Sequence, residues 1–114
     1  MALLLLFLEM EFRDERTIYL IPPRELLSNV KKAFEKTGMN ILERESGELS
    51  WNLYGKRSGL VVEASLKSKM RKIDELAPFG EIFITFLKIR AIGDESLIKK
   101  FKWNLETSLL RCLG

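Results

Sequence analysis

Apolar and polar residues alternate along this chain with two different periods, and the changes of period mark its elements. Over 8–13 every second residue is apolar and the others are charged, which is typical of a strand with one face in water. The polar run Arg13–Arg16 predicts a turn. Thr17–Ile21 is rich in β-branched and aromatic residues and predicts a second strand. The pattern therefore predicts two strands before the first helix.

Two segments follow the helical period, and they predict helices at Pro23–Thr37 and Asp94–Leu113. Proline fits the first turn of a helix, where its missing N–H is not needed. Gly38 suits the end of the first helix and Asp94 the N-cap of the second. The expected buried stripes are Leu26, Leu27, Val30, Ala33, Phe34 and Thr37 in the first helix, and Leu97, Ile98, Phe101, Leu105, Leu109 and Cys112 in the second.

Four further strands are predicted between the helices. They are Asn40–Glu45, Glu48–Tyr54, Leu60–Lys67 and Glu81–Ile92, joined by a turn at Ser46-Gly47, a hairpin loop at Gly55–Gly59 and a longer loop at Ser68–Gly80. Short turns make neighbouring strands antiparallel, and two amphipathic helices need one apolar face to cover. The prediction is a single α+β domain over residues 1–114, in the order β-β-α-β-β-β-β-α, with both helices on one face of an antiparallel sheet.

This order of elements resembles that of compact folds in which helices lie on a curved sheet, such as half of the TATA-binding protein or a shortened Bet v 1-like domain. The resemblance lies in the order of elements alone and includes no family motif. It therefore implies an architecture and carries no expectation about function.

The composition argues against most enzyme chemistry. The chain has no histidine and one cysteine, Cys112, which excludes the commonest general base, the commonest metal ligand and any nucleophile paired with histidine. Structural zinc needs four nitrogen or sulfur ligands. We expect no catalytic site, metal or cofactor, and we expect Cys112 to be an inert core residue.

The same composition bears on where the protein works. One cysteine permits no internal disulfide, which suits a reducing cytoplasm. Glutamine is absent and Lys, Arg and Glu dominate the polar residues, a bias of proteins from hot environments. The apolar opening segment is too short to span a bilayer and lacks a basic start, so we interpret Leu3–Leu8 as a buried strand.

The charge pattern predicts at most weak, salt-sensitive nucleic-acid binding. Nineteen basic residues face sixteen acidic ones, mostly interspersed. The densest basic run, Lys67–Lys72, starts at the end of the predicted strand Leu60–Lys67 and continues into the loop, and no aromatic residues are interleaved with it. A second basic pair, Lys56-Arg57, is expected at the opposite end of that strand, so the two do not form one patch. Glu63, in mid-strand, is expected to form a cross-strand ion pair with Lys88 or Arg90.

Large apolar residues occur at too many positions expected to face solvent, and two hypotheses account for them. The first is an interaction module, a homo-oligomer or a subunit of a larger assembly. Its interface residues would be Leu3, Leu5, Phe7, Ile82, Ile84, Phe86, Trp103 and Leu110. The alternative is a domain that binds a small apolar ligand in a cavity on the open sheet face. Its polar contacts would come from Asn52, Tyr54, Glu63 and Ser65.

Overall fold

Five strands form one antiparallel sheet in the order β1-β5-β4-β3-β2, and two helices pack on it. The computed structural model describes residues 9–72 and 80–113, with side chains up to residue 111. The elements are β1 (Glu9–Tyr19), α1 (Pro23–Lys36), β2 (Asn40–Gly47), β3 (Ser50–Arg57), β4 (Leu60–Lys72), β5 (Glu81–Asp94) and α2 (Glu95–Leu113). This confirms the predicted α+β class, although the observed order is β-α-β-β-β-β-α. The predicted strand Leu3–Leu8 lies outside the described residues.

The predicted turn at Arg13–Arg16 is wrong, because β1 continues through it and pairs with β5 along its whole length. Charged residues suit this strand because it lies at the edge of the sheet. Their alternation also places Asp14 and Arg16 on the helix side, where Arg16 donates to Asp14 and to Glu106 of α2. The segment therefore fits a strand that has charge on both faces.

The strands between the helices are longer than predicted. β2 includes Ser46-Gly47, and the turn falls at Glu48-Leu49 instead. β3 includes Gly55. A Cβ atom at this position would lie 2.5 Å from Cδ2 of Phe34, so the close packing of the helix requires glycine here. This glycine allows close approach of the helix and is not a turn signal. β4 runs on to Lys72, paired with β5, so the first part of the predicted loop, Ser68–Lys72, is a strand.

The two helices form the core together with the inner face of the sheet. The predicted stripe of α1 is buried, and in α2 the residues Ile98, Phe101, Leu105 and Leu109 are buried. The ring of Phe34 meets that of Phe101 edge to face, with centroids 5.5 Å apart. The sheet contributes Trp51, Leu53, Leu60, Val62, Ala64, Leu66, Leu87, Ile89 and Ala91.

The pairing of β4 with β5 decides which residues face the helices. It runs from Leu60 opposite Gly93 to Lys72 opposite Glu81 without a shift in register. Because side chains alternate between the two faces of a sheet, each residue of one strand shares its face with its partner. We call the face turned away from the helices the open face.

Replacing Gly55 with alanine is predicted to destabilise the fold. The new methyl group would overlap the ring of Phe34 and lie 2.9 Å from the Met39 sulfur, and overpacking of this kind costs about 1–3 kcal/mol. Urea unfolding of Gly55→Ala measures the loss. Lys56→Ala is the control, since that residue is adjacent and exposed on the other face. Equal stabilities of the two variants would contradict the packing explanation.

Glu106 is predicted to stabilise the junction of β1 and α2 in a pH-dependent way. The Arg16 guanidinium holds the pKa of this carboxyl below its ordinary value. A lowered pKa contributes stability above the pKa of the unfolded state, about 4.3, and this stability is lost as the pH falls through the folded pKa.

The variant Glu106→Gln tests this contribution by thermal unfolding across pH. We expect it to lower the free energy of unfolding at pH 7 by at most about 1 kcal/mol, because the pair is half-exposed. The difference from wild type should shrink below about pH 4. Glu35→Gln, an exposed glutamate of α1, should show no such trend. A deficit that is the same at pH 7 and pH 3 would refute the ion-pair interpretation.

Candidate binding face of the sheet

The open face carries the positive charge of the protein. Its basic residues are Arg13, Arg44, Lys56, Lys67, Lys69, Arg71, Lys88 and Arg90, and its acidic residues are Glu9, Glu11, Glu15, Glu63 and Asp94. Eight cations against five carboxylates leave three positive charges on this face, as many as the whole chain carries. Three of the five carboxylates lie on β1 and one on β5. The β2–β4 side therefore has five cations and one carboxylate.

A recess of about 390 Å³ lies at the centre of the open face. All four residues of the predicted ligand site line it: Asn52, Tyr54, Glu63 and Ser65. The sheet register brings them together, because Tyr54 pairs with Glu63 and Asn52 pairs with Ser65. The remaining lining residues are Arg13, Glu15, Ala64, Lys88, Ile89 and Arg90. The charged lining suits a polar ligand better than the apolar one that the sequence suggested.

Glu11 holds the two arginines beside the recess. Arg13 and Arg90 lie directly opposite each other on β1 and β5, and the Nε atoms of both donate to Oε1 of Glu11, at 2.7 and 2.9 Å. These hydrogen bonds, with that of Arg13 the stronger influence, lower the pKa of Glu11. The carboxylate thus stays ionised at mildly acidic pH and offsets the repulsion between the two guanidinium groups.

The expected ion pair of Glu63 is not found among the described residues. Glu63 lies opposite Arg90 in the register, but Arg90 pairs with Glu11, and the Nζ atom of Lys88 lies 3.6 Å from Oε1 of Glu15. Both cations therefore turn to carboxylates of the neighbouring strand β1. Glu63 is left as an exposed acidic side chain of the recess.

The apolar residues predicted to form an interface are not all exposed. Ile82 and Ile84 are buried within the chain and offer little surface to a partner. Phe86, Trp103 and Leu110 are exposed, as the sequence suggested. Leu3, Leu5 and Phe7, and the side chain of Cys112, lie outside the described residues.

The sequence analysis singled out the basic run Lys67–Lys72 but assigned most of it to a loop, and so did not predict that its side chains share one face of the sheet. Because this segment is a strand, Lys67, Lys69 and Arg71 share the open face. The alternation of basic with other residues in KSKMRK was the available signal. The aromatic residue that the run itself lacks is supplied by β5, where Phe86 lies opposite Lys67.

Comparison with known proteins adds no family to this picture. No protein-family model matches the chain, and no curated protein matches its sequence. Within the described residues, no group of three or more acidic or cysteine side chains is placed to hold a metal ion. None of the described helices has the length and apolar character needed to cross a membrane.

Proposed function

We propose that the protein is a small non-enzymatic interaction module, a homo-oligomer or a subunit of a larger assembly, and that the outer side of α2 contacts the other chain. One observation carries this proposal. Trp103 is 70% exposed and Leu110, two turns further on, is 61% exposed. Residues seven apart lie on the same side of a helix, so they form one apolar site.

The core does not use these two residues. α2 turns Ile98, Phe101 and Leu105 to the sheet, and Trp103 and Leu110 lie on the opposite side of the helix. Burying a large apolar side chain contributes roughly 1.5–3 kcal/mol, and tryptophan is enriched among the residues that dominate binding energy at interfaces. Burial of this pair against a partner chain is thus the simplest explanation for two large apolar side chains at this surface.

The edges of the sheet are less suitable for association. β2 carries the consecutive charges Glu43, Arg44 and Glu45, and β1 is charged along most of its length. Charged edge strands discourage pairing with another sheet. This favours the helix surface over strand addition.

A second candidate function is ligand binding in the recess of the open face. The convergence there of Asn52, Tyr54, Glu63 and Ser65 with cationic side chains favours it. A ligand that bears a phosphate or carboxylate would meet Arg13, Lys88 or Arg90, and its polar groups would meet the amide and hydroxyls.

Removing the apolar pair of α2 is predicted to abolish self-association. We expect light scattering to give wild-type protein a multiple of 13.2 kDa, and the double variant Trp103→Ser, Leu110→Ser the monomer mass. The control replaces Leu20 and Leu42, which are also exposed, with serine and should keep the wild-type mass.

Tryptophan fluorescence gives a second reading of the same association. Trp51 is buried and supplies a constant background, so a blue shift with rising concentration reports burial of Trp103. A wild-type mass of 13.2 kDa and an emission maximum that does not change with concentration would contradict self-association.

The recess is predicted to bind small polar anions. A ligand that binds only the folded state raises the melting temperature, so we expect millimolar nucleoside monophosphates to raise that of the wild type. The rise should be lost in Asn52→Ala with Tyr54→Phe and kept in Leu42→Ala. The absence of any rise, or an equal rise in all three proteins, would argue against a site in the recess.

A further inference from the structure

We propose that the open face binds single-stranded nucleic acid, with phosphates along the basic row and bases stacked on Phe86 and Tyr19. The basic row is defined as Lys67, Lys69 and Arg71 of β4. This inference deepens the second candidate function, since it names the class of ligand and extends the site beyond the recess. The proposal rests on the basic and aromatic side chains of this part of the open face.

The basic row is regular because its residues belong to a paired strand. Lys67, Lys69 and Arg71 lie opposite Phe86, Ile84 and Ile82 of β5. Alternate residues of a strand are about 6.8 Å apart, so the three cations follow a line that an extended phosphate backbone can track. None of the three forms an ion pair with another described residue.

Among the described residues, no carboxylate lies beside the basic row on the open face. Following the register across β5 to β1, the next residues are Thr17 and Tyr19, and on β3 the partner of Lys67 is Ser50. The described acidic residues of the face lie nearer its other end, on β1, at Glu63 and at Asp94. An anionic polymer would therefore be attracted along this row without repulsion from the described residues of the face.

One aromatic ring, that of Phe86, lies next to these cations on β5, and a second, that of Tyr19, lies one strand further away on β1. Phe86 is 45% exposed and Tyr19 is 56% exposed. The Nζ atom of Lys69 lies 5.4 Å from the centroid of the Phe86 ring, a cation–π distance. Aromatic rings beside basic side chains on a sheet are a recurring platform for single strands, because an unpaired base offers its face for stacking.

The rings favour a single strand over other anionic partners. A duplex keeps its bases stacked inside and gains nothing from Phe86. An anionic membrane would reward apolar side chains that can insert, but Ile82 and Ile84 beside the basic row are buried. Duplex DNA and anionic vesicles are therefore the comparison ligands in the test.

Fluorescence anisotropy of the full chain with labelled oligo(dT) of about 12 nucleotides, within the usual range of site sizes, tests the proposal. We expect a Kd on the order of 1–100 µM at physiological salt, weakening as salt rises. A duplex of the same length, and vesicles of phosphatidylserine and phosphatidylcholine, should bind more weakly. No binding to oligo(dT), or tighter binding to the duplex or the vesicles, would overturn the proposal.

Neutralising the basic row should reduce the salt dependence of oligo(dT) binding by an amount that can be calculated. Each phosphate contact to a single strand contributes about 0.7 to the slope of log K against log salt, so replacing all three residues with serine should lower the slope by about 2. The matched control replaces Lys32, Lys36 and Lys100, exposed on the helices, and removes the same charge. Equal slopes for the two variants would refute a site at the basic row.

Stacking has its own variant and control. Phe86→Leu keeps an apolar side chain but loses the ring, and we expect binding to weaken about tenfold. Val61→Ala changes a side chain of the same face that is equally exposed, at 46%, and should bind like wild type. Binding by Phe86→Leu at wild-type strength would overturn the stacking role.

Failure of this proposal can be distinguished from failure of the others. Trp103 and Leu110 lie on the outer side of a helix that covers the opposite face of the sheet, so the mass measurement is independent of nucleic-acid binding. If nucleoside monophosphates raise the melting temperature but oligo(dT) does not bind, the recess stands as a site for small ligands and the nucleic-acid proposal is wrong.

Discussion

The register between β4 and β5 is the constraint on which the rest of this structure depends. Thirteen consecutive pairs join the two strands, from Leu60 with Gly93 to Lys72 with Glu81. The side-chain period of a strand is two, so a slip of one residue would turn Val62 and Leu66 to water and Glu63 into the core. The apolar pattern therefore excludes a slip of one residue, and the pairing fixes the face on which the charges of β4 and β5 lie.

Several consequences follow from this single pairing. The same strands give the helices an apolar surface and collect the cations on the opposite side. Strand β1, with its three outward carboxylates, extends the sheet beside β5 and pairs its glutamates with Arg90 and Lys88. The basic row takes part in none of these ion pairs, and its three side chains are exposed. The open face therefore has a positive end at the basic row and another end where positive and negative charges balance. Both ends result from the strand register.

The two proposed surfaces lie on opposite sides of the molecule and depend on different forces. The apolar pair of α2 would gain from removal of hydrocarbon from water, which salt does not weaken by screening. The basic row would gain from release of counterions, which salt suppresses. Association with a protein and binding to an anionic strand can therefore occur on the same chain without competing.

The sequence predicted well the elements that have a strong period. The predicted stripe of α1 is buried, and so are Ile98, Phe101, Leu105 and Leu109 of α2, because each stripe repeats over several turns. Leu97 is only partly buried, and the side chain of Cys112 lies outside the described residues. The ends of the strands were harder to predict where one local sequence feature is compatible with two different structures. Gly55 was interpreted as a loop residue, but it is small because Phe34 packs against it. The charges of Arg13–Arg16 suggested a turn, but an edge strand accommodates them.

The site was predictable in part for the same reason. Asn52, Tyr54, Glu63 and Ser65 alternate along two adjacent strands, so period two was enough to bring them together. The ion pairs were not predictable, since Lys88 and Arg90 have two neighbouring strands to choose from. The aromatic residues near the basic row could not be predicted either. Phe86 and Tyr19 lie on other strands, and only the strand pairing places them on this part of the face.

Amide chemical shifts of labelled protein titrated with oligo(dT) test most directly the central claim that the strand register makes the open face a binding surface for a single strand. We predict perturbations along Lys67–Lys72 of β4, around Phe86 of β5 and at the Tyr19 end of β1. The amides of α1 and of the outer side of α2 should keep their shifts. Perturbations confined to the helices, with none along β4 and β5, would contradict the account.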